Sequence, residues 1–150
     1  MRYEDARAMA ELLAAVAEER DGIATEPPVD VDAHAQRFAA ASGRSLAAFA
    51  GGALIGMIQV SQSRLGVGEL AMLVERRWRG RGVGSALVAR AIDRARNEGL
   101  HKLSLDVFPH NAAAIALYRK FGFVEEGRRI GHFRRANGEV WDSIVMGLLL

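Results

Sequence analysis

Residues 68–121 constrain the fold most strongly, because they alternate segments typical of strands with segments typical of helices. An apolar run over residues 68–75 leads into a glycine-rich loop, and apolar residues then recur at helical spacing over residues 82–97. A strand over residues 100–107 and a helix over residues 111–121 follow. This order predicts a β-α-β-α core.

The segments on either side add two helices and two hairpins. Apolar spacing predicts a helix over residues 5–19, and Asp32 is the expected N-cap of a second helix that ends near residue 41. Gly51-Gly52 and Asn137-Gly138 each separate two strand-like runs, which is typical of tight hairpin turns. The predicted fold is therefore α/β (α+β), with a mixed central sheet flanked by helices and a C-terminal β-hairpin.

Length and composition limit the functional classes. The 150 residues, half of them apolar, are enough for one packed domain, so we expect a single domain over residues 1–150. The net charge of +2 does not indicate a nucleic-acid partner, and without cysteine or spaced histidines no metal site is expected. No apolar run approaches the roughly 20 residues that span a bilayer, and the N-terminus lacks a signal peptide's apolar run. We therefore expect a cytoplasmic protein without a membrane partner.

The loop of residues 79–85 is a candidate anion site at the start of the predicted third helix. The first N–H groups of a helix lack intrahelical acceptors and lie at the positive end of its dipole, so they favour an anion. Glycines at 80, 82 and 84 would let a phosphate approach the backbone, and Arg79 and Arg81 could hold it or only screen it. The Gly-Lys-Ser/Thr of a P-loop is absent, and a dinucleotide-binding turn is disfavoured because Ser85 replaces its third glycine.

A third phosphate-binding pattern, Q/R-x-x-G-x-G/A, is matched by residues 79–84. It resembles the pyrophosphate loop of the GNAT superfamily of acyl-CoA-dependent N-acetyltransferases. The later stretch LDVFPHNAAAIALYRKFGF resembles the second signature of that superfamily, a strand followed by N-x-x-A-x-x-x-Y and Gly-Phe. The resemblance covers nearly the whole chain and is nearest to bacterial enzymes that act on small amines, amino acids or protein N-termini.

The resemblance implies acetyl-CoA as co-substrate, no metal, and a pair of parallel strands that splay apart. It also implies a first edge strand ahead of Tyr3, which in this sequence is either missing or reduced to a stub. Tyr118 would donate a proton to the departing thiolate, and a backbone N–H near Leu73 or Val74 would stabilise the oxyanion. The implied cofactor-binding residues are Met72, Leu73, Val74, Arg79, Gly80, Arg81, Gly82, Val83, Gly84, Ser85, Asn111, Ala114 and Tyr118.

Two carboxylates are candidates for the general base that takes the proton of the attacking amine. Asp106 resembles the acidic position of N-terminal acetyltransferases, and Glu69 resembles a strand carboxylate used in other branches of the superfamily. Both stay open, each acting directly or through water, with Glu69 preferred.

On the acceptor side, the resemblance implies Glu26. On the last hairpin, His132, Phe133 and Trp141 could shape an acceptor pocket or only pack against the sheet. The candidate site residues also have purely structural explanations. Tyr118 could be a half-buried aromatic, and Asn111 could be only an N-cap.

The predicted function is acetyl transfer from acetyl-CoA to a primary amine by direct attack within a ternary complex. The acceptor stays open between a small amine, an amino acid and a peptide N-terminus. The alternatives are a non-catalytic acyl-CoA sensor and a nucleic-acid-binding module, the latter because RRWRGR and RRIGHFRR interleave arginines with aromatic residues. The apolar last strand fits either a buried position or the seam of a homodimer.

Overall fold

The computed structural model describes residues 3–41, 43–62 and 65–150. The elements in chain order are α1 (Tyr3–Ala17), α2 (Val31–Ala40), β1 (Ser45–Ala50), β2 (Ala53–Gln62), β3 (Val67–Val74), a short 3₁₀ helix (Arg76–Trp78), α3 (Val83–Asn97), β4 (Lys102–Val107), α4 (Ala112–Lys120), β5 (Val124–Arg134) and β6 (Val140–Leu149). The strands form one mixed sheet in the order β1-β2-β3-β4-β6-β5. The predicted mixed sheet with flanking helices is confirmed. Within the described ranges, no helix is both long enough and apolar enough to cross a membrane.

One compact unit comprises residues 1–59 and 72–87. Its core joins α1 to β2 through Met9, Leu12, Val16 and Met57, all nearly inaccessible to solvent. Gly56 lets the backbone of β2 pack closely against Val83 at the start of α3, since a Cβ on Gly56 would lie 3.1 Å from Val83 Cγ1. This packing holds the end of α1 and the start of α3 in one structure.

The second unit comprises residues 60–71 and 88–150. Parallel pairing between β3 and β4 is restricted to Val67–Glu69 and Lys102–Ser104, which agrees with the predicted splay. The buried face of β4 carries Leu103, Leu105 and Val107, so the alternate residues Ser104 and Asp106 lie on the other face. Because Glu69 is the register partner of Ser104, it shares that second, polar face.

Both predicted hairpins are confirmed. Gly51 and Gly52 have φ of 54° and 81°, a left-handed conformation at both positions that glycine adopts without strain. In the second hairpin, Gly138 has a φ of 90° and its N–H donates to the carbonyl of Arg135 at 3.0 Å. β6 lies between β4 and β5 in the sheet, so the apolar last strand is an interior strand.

The predicted N-cap of α2 is wrong by two residues. Asp30 caps the helix, because its Oδ1 accepts a hydrogen bond from the N–H of Ala33 at 2.9 Å. Asp32 lies inside the first turn and accepts from Arg7 Nη1 at 2.7 Å. A tertiary ion pair therefore distinguishes two aspartates that local sequence cannot separate.

The first helix begins earlier than expected. Tyr3 opens α1, which ends at Ala17, whereas the spacing predicted residues 5–19. The edge strand that the family resemblance implies would fall on Met1 and Arg2, which lie outside the described residues.

Candidate active site

The glycine loop joins the 3₁₀ helix to α3 and ends at an open helix N-terminus. Gly80 and Gly82 have φ of 69° and 86°, and a Cβ on either would meet nothing within 4 Å. The N–H of Ala86 donates to the carbonyl of Gly82 at 3.0 Å, so the amides of residues 83–85 precede the first intrahelical donor. These open amides and the open space beside the glycines fit a pyrophosphate.

Both arginines of the loop contact other parts of the protein. The guanidinium of Arg79 donates two hydrogen bonds to the carboxylate of Glu19, at 2.7 and 2.9 Å, and its Nε donates to the carbonyl of Val74 at 3.0 Å. The guanidinium carbon of Arg81 lies 5.4 Å from the centre of the Trp78 ring, as in a cation–π contact. An anion in this loop would therefore be bound mainly by backbone amides.

The end of β3 carries the predicted oxyanion donors. Met72, Leu73 and Val74 are half-buried. The N–H of Glu75 donates to the carbonyl of Ile55 at 2.9 Å. Together with the Arg79 contact to Val74, this hydrogen bond fixes the end of β3. The 3₁₀ helix then connects that strand end to the glycine loop.

Helix α4 holds the predicted signature residues. Oδ1 of Asn111 accepts from the N–H of Ala114 at 3.2 Å, so Asn111 is the N-cap of α4. Tyr118 is buried, its ring centre is 5.6 Å from that of Phe123, and burial raises the pKa of its phenol to about 12. Burial therefore favours the neutral phenol over the phenolate.

The two candidate bases differ in how they are held. Oδ1 of Asp106 accepts a hydrogen bond from Ser143 Oγ at 2.5 Å and lies 3.8 Å from Nε of Arg129. Ser143 is fully buried. Glu69 is exposed, and in the described part of the chain its carboxylate has no ion pair or hydrogen bond. The structure thus fixes the Asp106 carboxylate and leaves that of Glu69 to solvent.

The family model of the acetyltransferase (GNAT) family matches residues 7–123. This chain belongs to the GNAT family. The match contains the glycine loop, both candidate bases and Tyr118.

Two curated relatives of this GNAT chain have known classes of acceptor. This chain is 37% identical over 90 residues to the L-amino acid N-acetyltransferase AaaT of Escherichia coli, and the match covers 59% of this chain and 55% of the relative. It is 41% identical over 68 residues to the ribosomal protein bS18 alanine N-acetyltransferase of Salmonella typhimurium, covering 45% of each. The matches thus span about half the length of these relatives.

Solved GNAT structures match along the whole chain. A ribosomal-protein-alanine N-acetyltransferase of Brucella melitensis has a TM-score of 0.90 and 26% identity, with 100% of this chain and 97% of that chain covered. An acetyltransferase of Salmonella typhimurium solved with its cofactor acetyl-CoA has a TM-score of 0.88 and 23% identity, with 100% and 91% covered. The structure from Salmonella typhimurium thus has the same fold as this chain.

The residues expected on the acceptor side of this GNAT chain lie in different units. Glu26 is half-buried in the loop between α1 and α2. His132 is exposed on β5, with its ring centre 4.8 Å from that of Phe133 and its Nε2 3.4 Å from Nη1 of Arg129.

Sequence reasoning singled out Phe133 and Trp141 in the second unit but missed their contacts with Phe108 and the contact of Trp141 with Arg135. Phe108 makes edge-on contacts with Trp141, at 5.1 Å between ring centres, and with Phe133, at 5.4 Å. The buried Arg135 lies over Trp141, with 4.4 Å from its guanidinium carbon to the ring centre. Phe133 and Trp141 are register partners on β5 and β6, which a correctly aligned hairpin could have revealed. Among the described residues, no group of three or more His, Asp or Glu side chains could hold a metal ion.

Proposed function

We propose that this chain transfers an acetyl group from acetyl-CoA to a primary amine, by direct attack within a ternary complex. The observation that carries the proposal is the glycine loop, whose amides at the start of α3 are open within the family's signature pattern. Acetyl-CoA supplies the acetyl group as a thioester. The amides of residues 83–85 would bind its pyrophosphate, and the half-buried residues Met72, Leu73 and Val74 would lie along its arm.

Tyr118 is the proposed general acid. In the reaction the amine nitrogen forms a bond to the acyl carbon and the carbon–sulfur bond breaks, which leaves a thiolate. The phenol of Tyr118 would give its proton to that sulfur. A backbone N–H at Leu73 or Val74 would donate to the carbonyl oxygen as negative charge develops on it.

Asp106 and Glu69 stay the two candidates for the base that takes the amine proton. The hydrogen bond from Ser143 holds Asp106 in one position, and a positioned base is more effective than a mobile one. This contact favours Asp106 over Glu69, the opposite of the preference from sequence alone. Either carboxylate could act directly or through a water molecule.

The acceptor proposed is a small amine, an amino acid or a peptide N-terminus. This range is supported by the relatives, one named for L-amino acids and another for the alanine terminus of a ribosomal protein. Glu26 would bind the ammonium group of the acceptor, and His132 would contact the rest of it. A homodimer and a cytoplasmic location complete the proposal.

The basic runs no longer favour a nucleic-acid-binding module. Arg79 pairs with Glu19, Arg77 with Glu75, and Arg128 with Asp142. These three of the eight arginines in the two runs are thus paired with carboxylates, and such pairs reduce the positive charge that a nucleic-acid interface needs.

Release of free thiol from acetyl-CoA, measured across a library of amines, amino acids and short peptides, tests the proposal. We expect turnover with at least one acceptor. Binding of acetyl-CoA without modification of any acceptor would indicate the non-catalytic sensor instead. Absence of acetyl-CoA binding would refute both.

A further inference from the structure

The side chain of Arg79 joins three segments that are far apart in the sequence. Its two terminal nitrogens donate to Glu19, which is 60 residues earlier and lies two residues beyond the end of α1. Its Nε donates to Val74 at the end of β3. Arg79 is itself the first residue of the glycine loop. One guanidinium thus connects the end of α1, the end of β3 and the loop.

This ion pair is better placed to restrain the chain than an ordinary surface pair. Its geometry is bidentate, and the side chains of Glu19 and Arg79 are 21% and 42% exposed. The pair of Arg7 and Glu11 on α1 has one contact of 3.2 Å and side chains that are 50% and 57% exposed. Pairs of that second kind contribute little to stability.

Glu19 itself is held in place by backbone hydrogen bonds at the end of α1. Its N–H donates to the carbonyl of Val16 at 3.2 Å, and the next N–H, that of Arg20, donates to Ala17 at 3.0 Å. The φ of Arg20 is 55°, so the chain turns away directly after Glu19. The carboxylate therefore extends from a fixed point.

We infer that Glu19 is a positioning residue for the pyrophosphate loop. Arg79 then acts as a brace, that is, as a side chain that holds the loop in place, rather than as a phosphate ligand. The inference rests on the proposed function, in which this loop binds acetyl-CoA. A loop with glycines at positive φ has many conformations when free, and holding it in the binding conformation lowers the cost of binding. Glu19 lies in no motif, and its role comes only from the contacts above.

The brace and the ligand role of Arg79 predict opposite effects of removing Glu19. If Arg79 were a phosphate ligand, loss of the carboxylate would free its guanidinium and tighten acetyl-CoA binding. If Arg79 is a brace, loss of Glu19 releases the loop and weakens binding, although the chain becomes more positive. The direction of the change distinguishes the two roles.

The test is calorimetric measurement of the acetyl-CoA Kd for Glu19→Ala, Arg79→Ala, the double variant and the control Glu11→Ala. Glu11→Ala removes the same charge and an ion pair from the same end of the chain, but not from the loop. We expect Kd to rise on the order of three- to tenfold for Glu19→Ala, and the double variant to be no weaker than Arg79→Ala. Glu11→Ala should leave Kd unchanged.

Two further variants and one kinetic experiment separate positioning from general destabilisation. Glu19→Gln keeps the size and one acceptor oxygen, so it should recover part of the affinity. Arg79→Lys keeps the charge but not the fork, so it should bind as weakly as Arg79→Ala. In steady-state kinetics, Glu19→Ala should raise KM for acetyl-CoA and leave kcat at saturation unchanged.

Unchanged or tighter binding by Glu19→Ala would overturn the inference, as would equal weakening by Glu11→Ala. The same holds if Arg79→Lys bound as well as the parent, since that result would indicate a charge contact to phosphate. A parent protein that binds no acetyl-CoA would refute the proposed function and, with it, this inference.

Discussion

Ser143 Oγ donates a hydrogen bond of 2.5 Å to Oδ1 of Asp106, from a serine that has no solvent exposure. Asp106 lies on β4 and Ser143 on the neighbouring antiparallel strand β6. The donor is therefore fixed by the sheet, and it holds the carboxylate of Asp106 in one position. Among the described residues, no such donor contacts Glu69.

If Asp106 is the base, Ser143→Ala should lower kcat/KM on the order of tenfold. Without its donor the carboxylate is no longer held in one position, and a misplaced base takes the amine proton less effectively. Ser104→Ala is the matched control, because Ser104 lies on the same strand face as Asp106 and is the register partner of Glu69. An unchanged rate for Ser143→Ala, or an equal loss of rate for Ser104→Ala, would contradict the positioning of Asp106 by Ser143.

Direct replacement of each carboxylate separates the two bases. Asp106→Asn keeps an oxygen that can accept from Ser143, and it should lower kcat/KM by about 10²–10⁴-fold. Glu69→Gln should change the rate by less than about twofold, because no described residue positions that side chain. The comparison is made across pH with one acceptor. If neither variant slows the reaction, both candidates are wrong and the amine loses its proton to water or buffer.

The glycine loop is tested by Gly82→Ala against Gly138→Ala. The two glycines have φ of 86° and 90°, and a Cβ on either meets nothing within 4 Å, so both variants should lose about 1 kcal/mol of stability. Only Gly82→Ala should weaken acetyl-CoA binding, because Gly138 lies in the last hairpin. Equal acetyl-CoA Kd values for the two variants would contradict the assignment of the loop. The double variant Gly82→Val, Gly84→Val should block binding altogether.

The raised pKa of Tyr118 predicts a loss of stability at alkaline pH. Its phenol titrates near 12 in the folded chain and near 10 when unfolded, so the stabilisation is complete below pH 10 and lost between pH 10 and 12. By pH 11 the parent should have lost about 1 kcal/mol of unfolding free energy relative to Tyr118→Phe. Urea unfolding of both proteins from pH 8 to 11 measures this difference. If the unfolding free energies of the two proteins changed with pH in parallel, the phenol would not be desolvated in the folded chain.

The core and the signature helix were predictable because their signals are local. The helix from Asn111 to Tyr118, with its N-cap, and the two hairpin turns follow from residues within one or two turns of each other. The brace of Arg79 was not predictable, since its partner Glu19 is 60 residues away and the motif suggested a phosphate ligand.

The hydrogen bond from Ser143 to Asp106 was also not predictable, because the two residues are far apart in the sequence. Ser143 is 37 residues later in the chain, and only the register of β4 with β6 brings the two together. The stacking of Arg135 on Trp141 likewise depends on the conformation of the last hairpin. The sequence therefore located the candidate groups, while the contacts that position them required the fold.

The measurement that tests the central claim most directly is the kcat of Tyr118→Phe, taken together with its acetyl-CoA Kd. The substitution removes a hydroxyl and keeps the ring that packs against Phe123. The account predicts an unchanged Kd and a kcat lowered by about 10²–10⁴-fold, as loss of a general acid requires. Turnover within about twofold of the parent, under conditions where chemistry limits the rate, would contradict it.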